Sequence, residues 1–173
     1  MKKLAFVLLN LVALCILWGN SHATMIYVGD LDGNVGVYDT DTNTTEPLGN
    51  LSEYDTSEMM GLAYDPISDS VLLLNRAYFG NTEAAVFSMD PNSGEVTQLF
   101  TTSSGFQGGA VKGGIIYGMN ILTDKVEAYS LVTGNPVALS GSVALPYDAQ
   151  GVGVDPISRQ LYISMYYMTF GHL

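Results

Sequence analysis

Gly61-Leu-Ala-Tyr-Asp-Pro-Ile-Ser68 and Gly151-Val-Gly-Val-Asp-Pro-Ile-Ser158 are two copies of one phrase, 90 residues apart. In each copy an apolar run leads into Asp-Pro-Ile-Ser, and a second apolar run follows, at Val71–Leu74 or Leu161–Ile163. Proline presets φ for the second position of a β-turn, and the aspartate side chain accepts a backbone N–H just ahead of it. The phrase therefore predicts a strand, a tight turn and a second strand.

A weaker copy lies between these two and halves the period. When the strands of one unit are lettered a to d from inside to outside, the starts of strand b lie 46, 44 and 46 residues apart. Units of this length made only of strands are typical of β-propeller blades, so we predict an all-β chain with about 3.5 four-stranded blades. The predicted strands are Met60–Tyr64, Gly108–Val111 and Gly151–Val154 for a; Met25–Val28, Val71–Leu74, Ile115–Tyr117 and Leu161–Ile163 for b; Val35–Tyr38, Ala84–Phe87 and Val126–Tyr129 for c; and Thr45–Leu48, Val96–Phe100 and Pro136–Leu139 for d.

The first 23 residues have the pattern of a secretory signal peptide. Lys2 and Lys3 precede an apolar run over 4–18, and Ser21-His-Ala23 places small residues where signal peptidase cleaves. An uncleaved membrane anchor is the alternative, but a run of 15 residues is shorter than the roughly 20 that span a bilayer. We therefore predict cleavage after Ala23, a propeller domain over 24–173 and a periplasmic or extracellular location.

The chain is strongly acidic. Two of its 6 basic residues fall in the leader, so 4 bases face 17 acids after cleavage and the formal net charge is −13. Such a surface excludes nucleic acid and anionic lipid as partners, because phosphate binding needs clustered Lys and Arg. Cys15 is the only cysteine and lies in the leader, so no disulfide is predicted in the mature domain.

Two acidic segments, Asp30-Leu-Asp-Gly-Asn34 and Asp39-Thr-Asp-Thr-Asn43, place oxygens at alternate positions, as a calcium loop does. Neither has the Gly at position 6 and the Glu at position 12 that an EF-hand loop needs. We predict hairpin turns, with calcium binding as the weaker alternative. Zinc and copper sites need His or Cys, and the body of the domain has neither.

Carboxylate pairs are the remaining catalytic candidates. The turn role of Asp65 and Asp155 explains both of these repeat-equivalent residues. Glu58 and Asp148 precede strands a, where a glycosidase would place a pair at the axial opening. Tyr54 and Tyr147 lie near them and suit a surface on which carbohydrate stacks. The turn interpretation is the stronger, so we predict no catalytic, metal-binding or cofactor-binding residue, and no cofactor.

Three segments carry a resemblance to a known family: Ile26-Tyr-Val-Gly-Asp30, Val35-Gly-Val-Tyr-Asp-Thr-Asp-Thr-Asn43 and Gly61-Leu-Ala-Tyr-Asp-Pro66. Together they resemble the secreted bacterial propeller repeats of the YVTN type, which are similar to NHL and quinoprotein-dehydrogenase-like blades. The resemblance covers Met25 to Leu173 and departs from the family at Gly29-Asp30. It implies the propeller fold and leaves the function open, because such blades serve in binding, surface-layer and enzymatic proteins.

The strand count is b-c-d, a-b-c-d, a-b-c-d and a-b, fewer than a four-bladed ring needs. One alternative is a truncated propeller, because the tail from Met165 to Gly171 resembles the connector at 75–80. A second is a complete protein whose arcs dimerise through an exposed blade edge. A third is closure of the ring by strand a at Gly151 pairing with the strands of Met25–Leu48.

These observations predict an exported, non-catalytic binding module built of propeller blades. Its ligand would be a protein or a carbohydrate, contacted through loops at one end of the blades. The alternative is a fragment of a propeller enzyme, such as a lactonase, a glycosidase or a quinoprotein-like enzyme, whose active site needs further blades.

Overall fold

The computed structural model of the protein describes residues 25–51, 53–54, 59–75, 84–103, 105–120, 123, 125–140, 149–155 and 157–165. Several predictions concern residues outside these ranges: those made for the leader, for the tail from 166, and for Glu58, Tyr147 and Asp148. Every regular element within the ranges is a β-strand, and no helix in them is long and apolar enough to cross a membrane. The strands are β1 (Met25–Gly29), β2 (Asn34–Asp39), β3 (Thr44–Asn50), β4 (Met59–Asp65), β5 (Ser70–Asn75), β6 (Ala84–Met89), β7 (Val96–Thr102), β8 (Phe106–Lys112), β9 (Ile115–Asn120), β10 (Lys125–Ser130), β11 (Ala149–Val154) and β12 (Leu161–Met165).

The strands form four antiparallel sheets in chain order, which we call the first to fourth blades. They are β1-β2-β3, β4-β5-β6-β7, β8-β9-β10 and β11-β12. The all-β prediction is confirmed, and each predicted strand a, b and c coincides with an observed strand. Because consecutive strands run antiparallel, the a–b and c–d turns lie at one end of every sheet, which we call the turn end. Lys112 and Arg159 join two a–b turns there, through a hydrogen bond of 2.7 Å from Nζ to the backbone oxygen.

The innermost strands stand side by side, since β4 contacts β8 and β8 contacts β11. The core fills the seams between blades. Val71 and Leu73 of β5 face the first blade, whereas Leu72 and Leu74 face the third. Side chains alternate across a strand, so a strand covered on both faces is apolar without interruption. The run Val71–Leu74 is therefore the centre of the described molecule.

Glycine on strand a lets the innermost strands pack closely wherever an added Cβ would find no room. This holds at Gly61, where an added Cβ would lie 3.1 Å from the backbone of Gly108. It holds also at Gly109, where a Cβ would overlap the side chain of Leu74. It does not hold at Gly153, where a Cβ would meet open space.

One predicted strand is wrong, and one of the three alternatives for completing the ring is excluded. Pro136–Leu139 is not a strand: only an isolated bridge joins Pro136 to Tyr129, and the chain then leaves the sheet. Pro136 takes the non-hydrogen-bonded position of the bridge, between the bonds from Ser130 N–H to Asn135 O and from Val137 N–H to Ala128 O, and no described residue after Val137 pairs with β10. Ring closure through β11 and β1–β3 does not occur either, because β11 pairs with β12. The short Asp-Pro-Ile-Ser turn makes this local hairpin entropically cheaper than a pairing across more than a hundred residues.

Candidate functional site

Three c–d turns at the turn end share one geometry. They span Asp39–Asn43, Asp90–Gly94 and Ser130–Gly134, and in each the fifth backbone N–H donates to the first carbonyl oxygen, at 2.9, 2.9 and 2.8 Å. The first side chain also accepts a backbone N–H two or three residues ahead, at 2.8, 2.7 and 3.3 Å. The fifth residue has a positive φ in all three. The turn is thus a repeated device that the local sequence specifies.

These bonds occupy the carboxylates proposed as calcium ligands. Asp30 accepts the backbone N–H of Asn34 at 2.9 Å and its amide Nδ2 at 2.8 Å. The hydrogen bond from the Asn34 side-chain amide is the main cause of the lowered pKa of Asp30. The hydrogen bond from the backbone N–H of Asp41 is likewise the main cause of the lowered pKa of Asp39. The prediction of hairpin turns is confirmed. In the part of the chain that the structure describes, no three potential ligand side chains group as a metal site requires.

In the two a–b turns of the repeated phrase, the aspartate side chain also accepts hydrogen bonds from within its own turn. Asp65 accepts the backbone N–H of Ile67 at 3.1 Å and the hydroxyl of Ser68 at 2.7 Å. Asp155 accepts the backbone N–H of Ile157 at 2.9 Å and the hydroxyl of Ser158. The Ser158 bond is the main cause of the lowered pKa of Asp155. The predicted turn role is confirmed for both residues.

The turn end also carries apolar side chains at the tips of its turns. Ile67 is 72 % exposed, Val132 89 % and Ile157 91 %. Nothing in the turn geometry requires an isoleucine, because the aspartate, the proline and the serine supply its bonds and its dihedral angles. Sequence reasoning missed these residues as a surface, although the signal was present in the repetition of Ile at the same place in both phrases.

Tyr54 does not belong to a stacking surface. Its ring packs on Phe87 with centroids 4.8 Å apart, and its hydroxyl donates to the backbone oxygen of Val96 at 3.0 Å. It therefore seals the seam between the first two blades. Tyr27 and Tyr64 are stacked instead, with ring centroids 5.8 Å apart, and Tyr64 is 43 % exposed.

Comparison with solved structures defines the fold class of the protein. The structure matches 118 solved chains. One comes from the crystal structure of a nidogen–laminin complex, with a TM-score of 0.51 and 14% identity over 66% of this chain and 41% of that one. Another is a protein from Lactobacillus plantarum, with a TM-score of 0.52 and 16% identity over 76% of this chain and 41% of that one. The computationally designed Ika4 protein gives a TM-score of 0.50 and 13% identity over 82% of this chain and 84% of that one.

The neighbours establish that the described blades belong to a β-propeller. The chain spans about two fifths of the nidogen and Lactobacillus chains, 41% of each. No family model and no curated protein matches the sequence. Identities of 13 to 16% carry the fold alone, so the resemblance to YVTN and NHL repeats stays a prediction.

Proposed function

We propose that this protein is an exported, non-catalytic binding module whose contact surface is the turn end of its blades. One observation carries the proposal: the repeated phrase presents Ile67 and Ile157 to solvent in two different blades, and Val132 joins them on a third. Burying one such side chain is worth about 1.5–3 kcal/mol. The fold gains almost nothing from them, so a partner that covers them would gain most of that amount.

The partner that fits this surface is a protein with an apolar patch. An apolar patch rimmed by polar residues marks a protein contact surface, and we propose that the aliphatic tips at the turn end form such a patch. The formal charge of −11 over the whole chain argues against nucleic acid. The non-catalytic role is supported by the turn aspartates, because each carboxylate already accepts a backbone N–H or a side-chain donor within its own turn.

Photo-crosslinking in the cells that make the protein tests the contact surface. A photoreactive amino acid is placed at Ile157 in one variant and at Leu99, exposed on the outer strand β7 of the second blade, in a control variant. We expect a discrete adduct from position 157 that position 99 does not give. The same adducts from both positions, or no adduct from either, would contradict a binding surface at the turn end.

The export part rests on Lys2, Lys3, the apolar run over 4–18 and Ser21-His-Ala23. Intact-mass spectrometry of the protein recovered from the cell envelope and the medium tests it. We expect a chain that begins at Thr24. Recovery of the uncleaved chain in the cytosol would overturn export without touching the contact surface.

A further inference from the structure

The third blade differs from the first two along its outer edge. In the first blade β2 pairs with β3, a bulge follows Gly36–Pro47, and pairing resumes at Val35–Gly49. In the second blade a bulge follows Phe87–Gln98, and pairing resumes at Val86–Phe100. A bulge at this place therefore lets strand d rejoin strand c in both blades.

In the third blade strand d does not rejoin strand c within the described stretch, which ends at residue 140. Pairing ends after the Tyr129–Pro136 bridge, where Val137 N donates to Ala128 O at 2.8 Å. By count from the turn, Val126 is the residue at which pairing would resume. Among the described residues no backbone group is hydrogen-bonded to Val126 from the outer side of the sheet.

The departing chain opens a groove beside β10. Its lining comes from Val126 and Glu127 on β10, from Pro136, Val137 and Leu139 on the departing chain, and from Ser103 at the end of the second blade. The backbone groups of a strand point alternately to its two sides. Since the carbonyl of Ala128 points outward to Val137, the N–H and C=O of Val126 point into this groove.

Glu127 gives the groove its charge. Its carboxylate accepts the Asn120 amide Nδ2 at 2.7 Å and the Tyr129 hydroxyl at 3.2 Å. Asn120 and Tyr129 are buried, so they hold the half-buried carboxylate in place. Glu127 occupies the place in its blade that the buried Phe87 has in the second, and an acid there contributes no apolar packing to the seam.

We propose that this groove is a peptide-binding site, in which an extended segment of a partner adds to β10 as a strand and places a basic side chain beside Glu127. An open strand edge is recognised by another strand, and the alternate side chains give specificity. The acidic chain favours a basic side chain in the ligand beside Glu127. Exposed Lys125 lies two residues from Glu127 on the same face, so a basic and an acidic residue two positions apart in the ligand match both charges.

Binding of two synthetic peptides to the purified full chain tests the proposal. The first is the fluorescein-labelled heptapeptide Thr-Val-Lys-Val-Glu-Val-Thr, and the second exchanges its Lys and Glu. In a given strand direction, only one of the two peptides places its Lys beside Glu127 and its Glu beside Lys125. We therefore expect fluorescence anisotropy to show tighter binding of one peptide than of the other. Val126→Pro removes the N–H that points into the groove and leaves the hydrogen bonds between β10 and β9 intact. Proline is tolerated at such a position on a sheet edge. The substitution should weaken binding up to about tenfold, as the loss of the one hydrogen bond that this N–H would donate predicts.

Two control variants separate the alternatives. Glu127→Gln keeps an acceptor for Asn120 and should abolish the difference between the peptides. Ile67→Ser alters the turn end and should leave peptide binding unchanged, so the groove and the proposed function can fail independently. The proposal is overturned if neither peptide binds, or if Val126→Pro binds as the unaltered chain does. It is overturned in favour of a second copy if light scattering shows a dimer that Val126→Pro dissociates.

Discussion

The second and fourth blades contain the same phrase in different surroundings. Asp65 and Asp155 begin turns with equivalent hydrogen bonds, yet Asp65 is 4 % exposed and Asp155 is half-buried. Leu73 of β5 is fully buried, whereas the equivalent Ile163 of β12 is half-buried. The second blade lies between two blades, and the fourth has a described neighbour only on the side of the third. The phrase determines the hairpin, and the neighbouring blades determine how much that hairpin contributes to stability.

The largest expected difference is between Leu73→Ala and Ile163→Ala. Leu73 lies in the seam with Val35 and Phe87, so its truncation leaves a cavity and should cost about 2–5 kcal/mol of unfolding free energy. The half-buried Ile163 should cost roughly 1 kcal/mol, because less apolar area returns to water. Urea unfolding, followed by far-UV circular dichroism, measures the unfolding free energy of both variants. Equal losses would mean that the fourth blade packs as tightly as the second.

Turn chemistry explains why so much of the fold was predictable. The Asp-Pro-Ile-Ser turns and the c–d turns are specified by residues within five positions of one another, so their strands followed from the sequence. The seams are not local in this sense. The alternate burial of Val71–Leu74 depends on residues contributed by two other blades.

The candidate sites were hidden for the same reason. Ile67 and Ile157 were interpreted as part of a turn, since their exposure depends on what surrounds that turn. Pro136–Leu139 has a strand-like pattern, but its pairing depends on a bulge that the pattern does not encode. Glu127 was not singled out, because its hydrogen bond to Asn120 depends on the register of β9 and β10, in which Glu127 pairs with Gly118.

The seams make a second comparison possible at the fifth residue of the c–d turns. In the second blade it is Gly94, where a Cβ would overlap the carbonyl oxygen of Leu48 in the first blade. In the first blade it is Asn43, which has the same left-handed backbone and whose side chain bonds Tyr38. Asparagine tolerates positive φ, so the glycine is required by the neighbouring blade rather than by the turn.

Gly94→Asn should therefore destabilise the chain by about 1–3 kcal/mol, the usual cost of overpacking. The control is Gly113→Asn, which has a φ of +60° and no atom within 4 Å of an added Cβ. That substitution should stay within about 0.5 kcal/mol of the unaltered chain. Thermal unfolding of the two variants side by side decides the matter. A large effect at 113 would place the cost in the turn backbone instead of the seam.

The smallest expected effect concerns the charge of Asp155 in the fourth blade. The Ser158 hydroxyl, and after it the N–H of Ile157, lowers the pKa of Asp155 below its unfolded value, which is about 3.9. A lowered pKa stabilises the fold above the unfolded value, and this contribution is lost as the pH falls through the folded pKa. Stability of the unaltered chain should thus decline below about pH 4, and Asp155→Asn should decline less steeply. NMR titration of the Asp155 carboxyl checks the cause, because Ser158→Ala should bring its pKa back towards the ordinary value. An unchanged titration in Ser158→Ala would show that the backbone N–H groups of the turn lower the pKa of Asp155 by themselves.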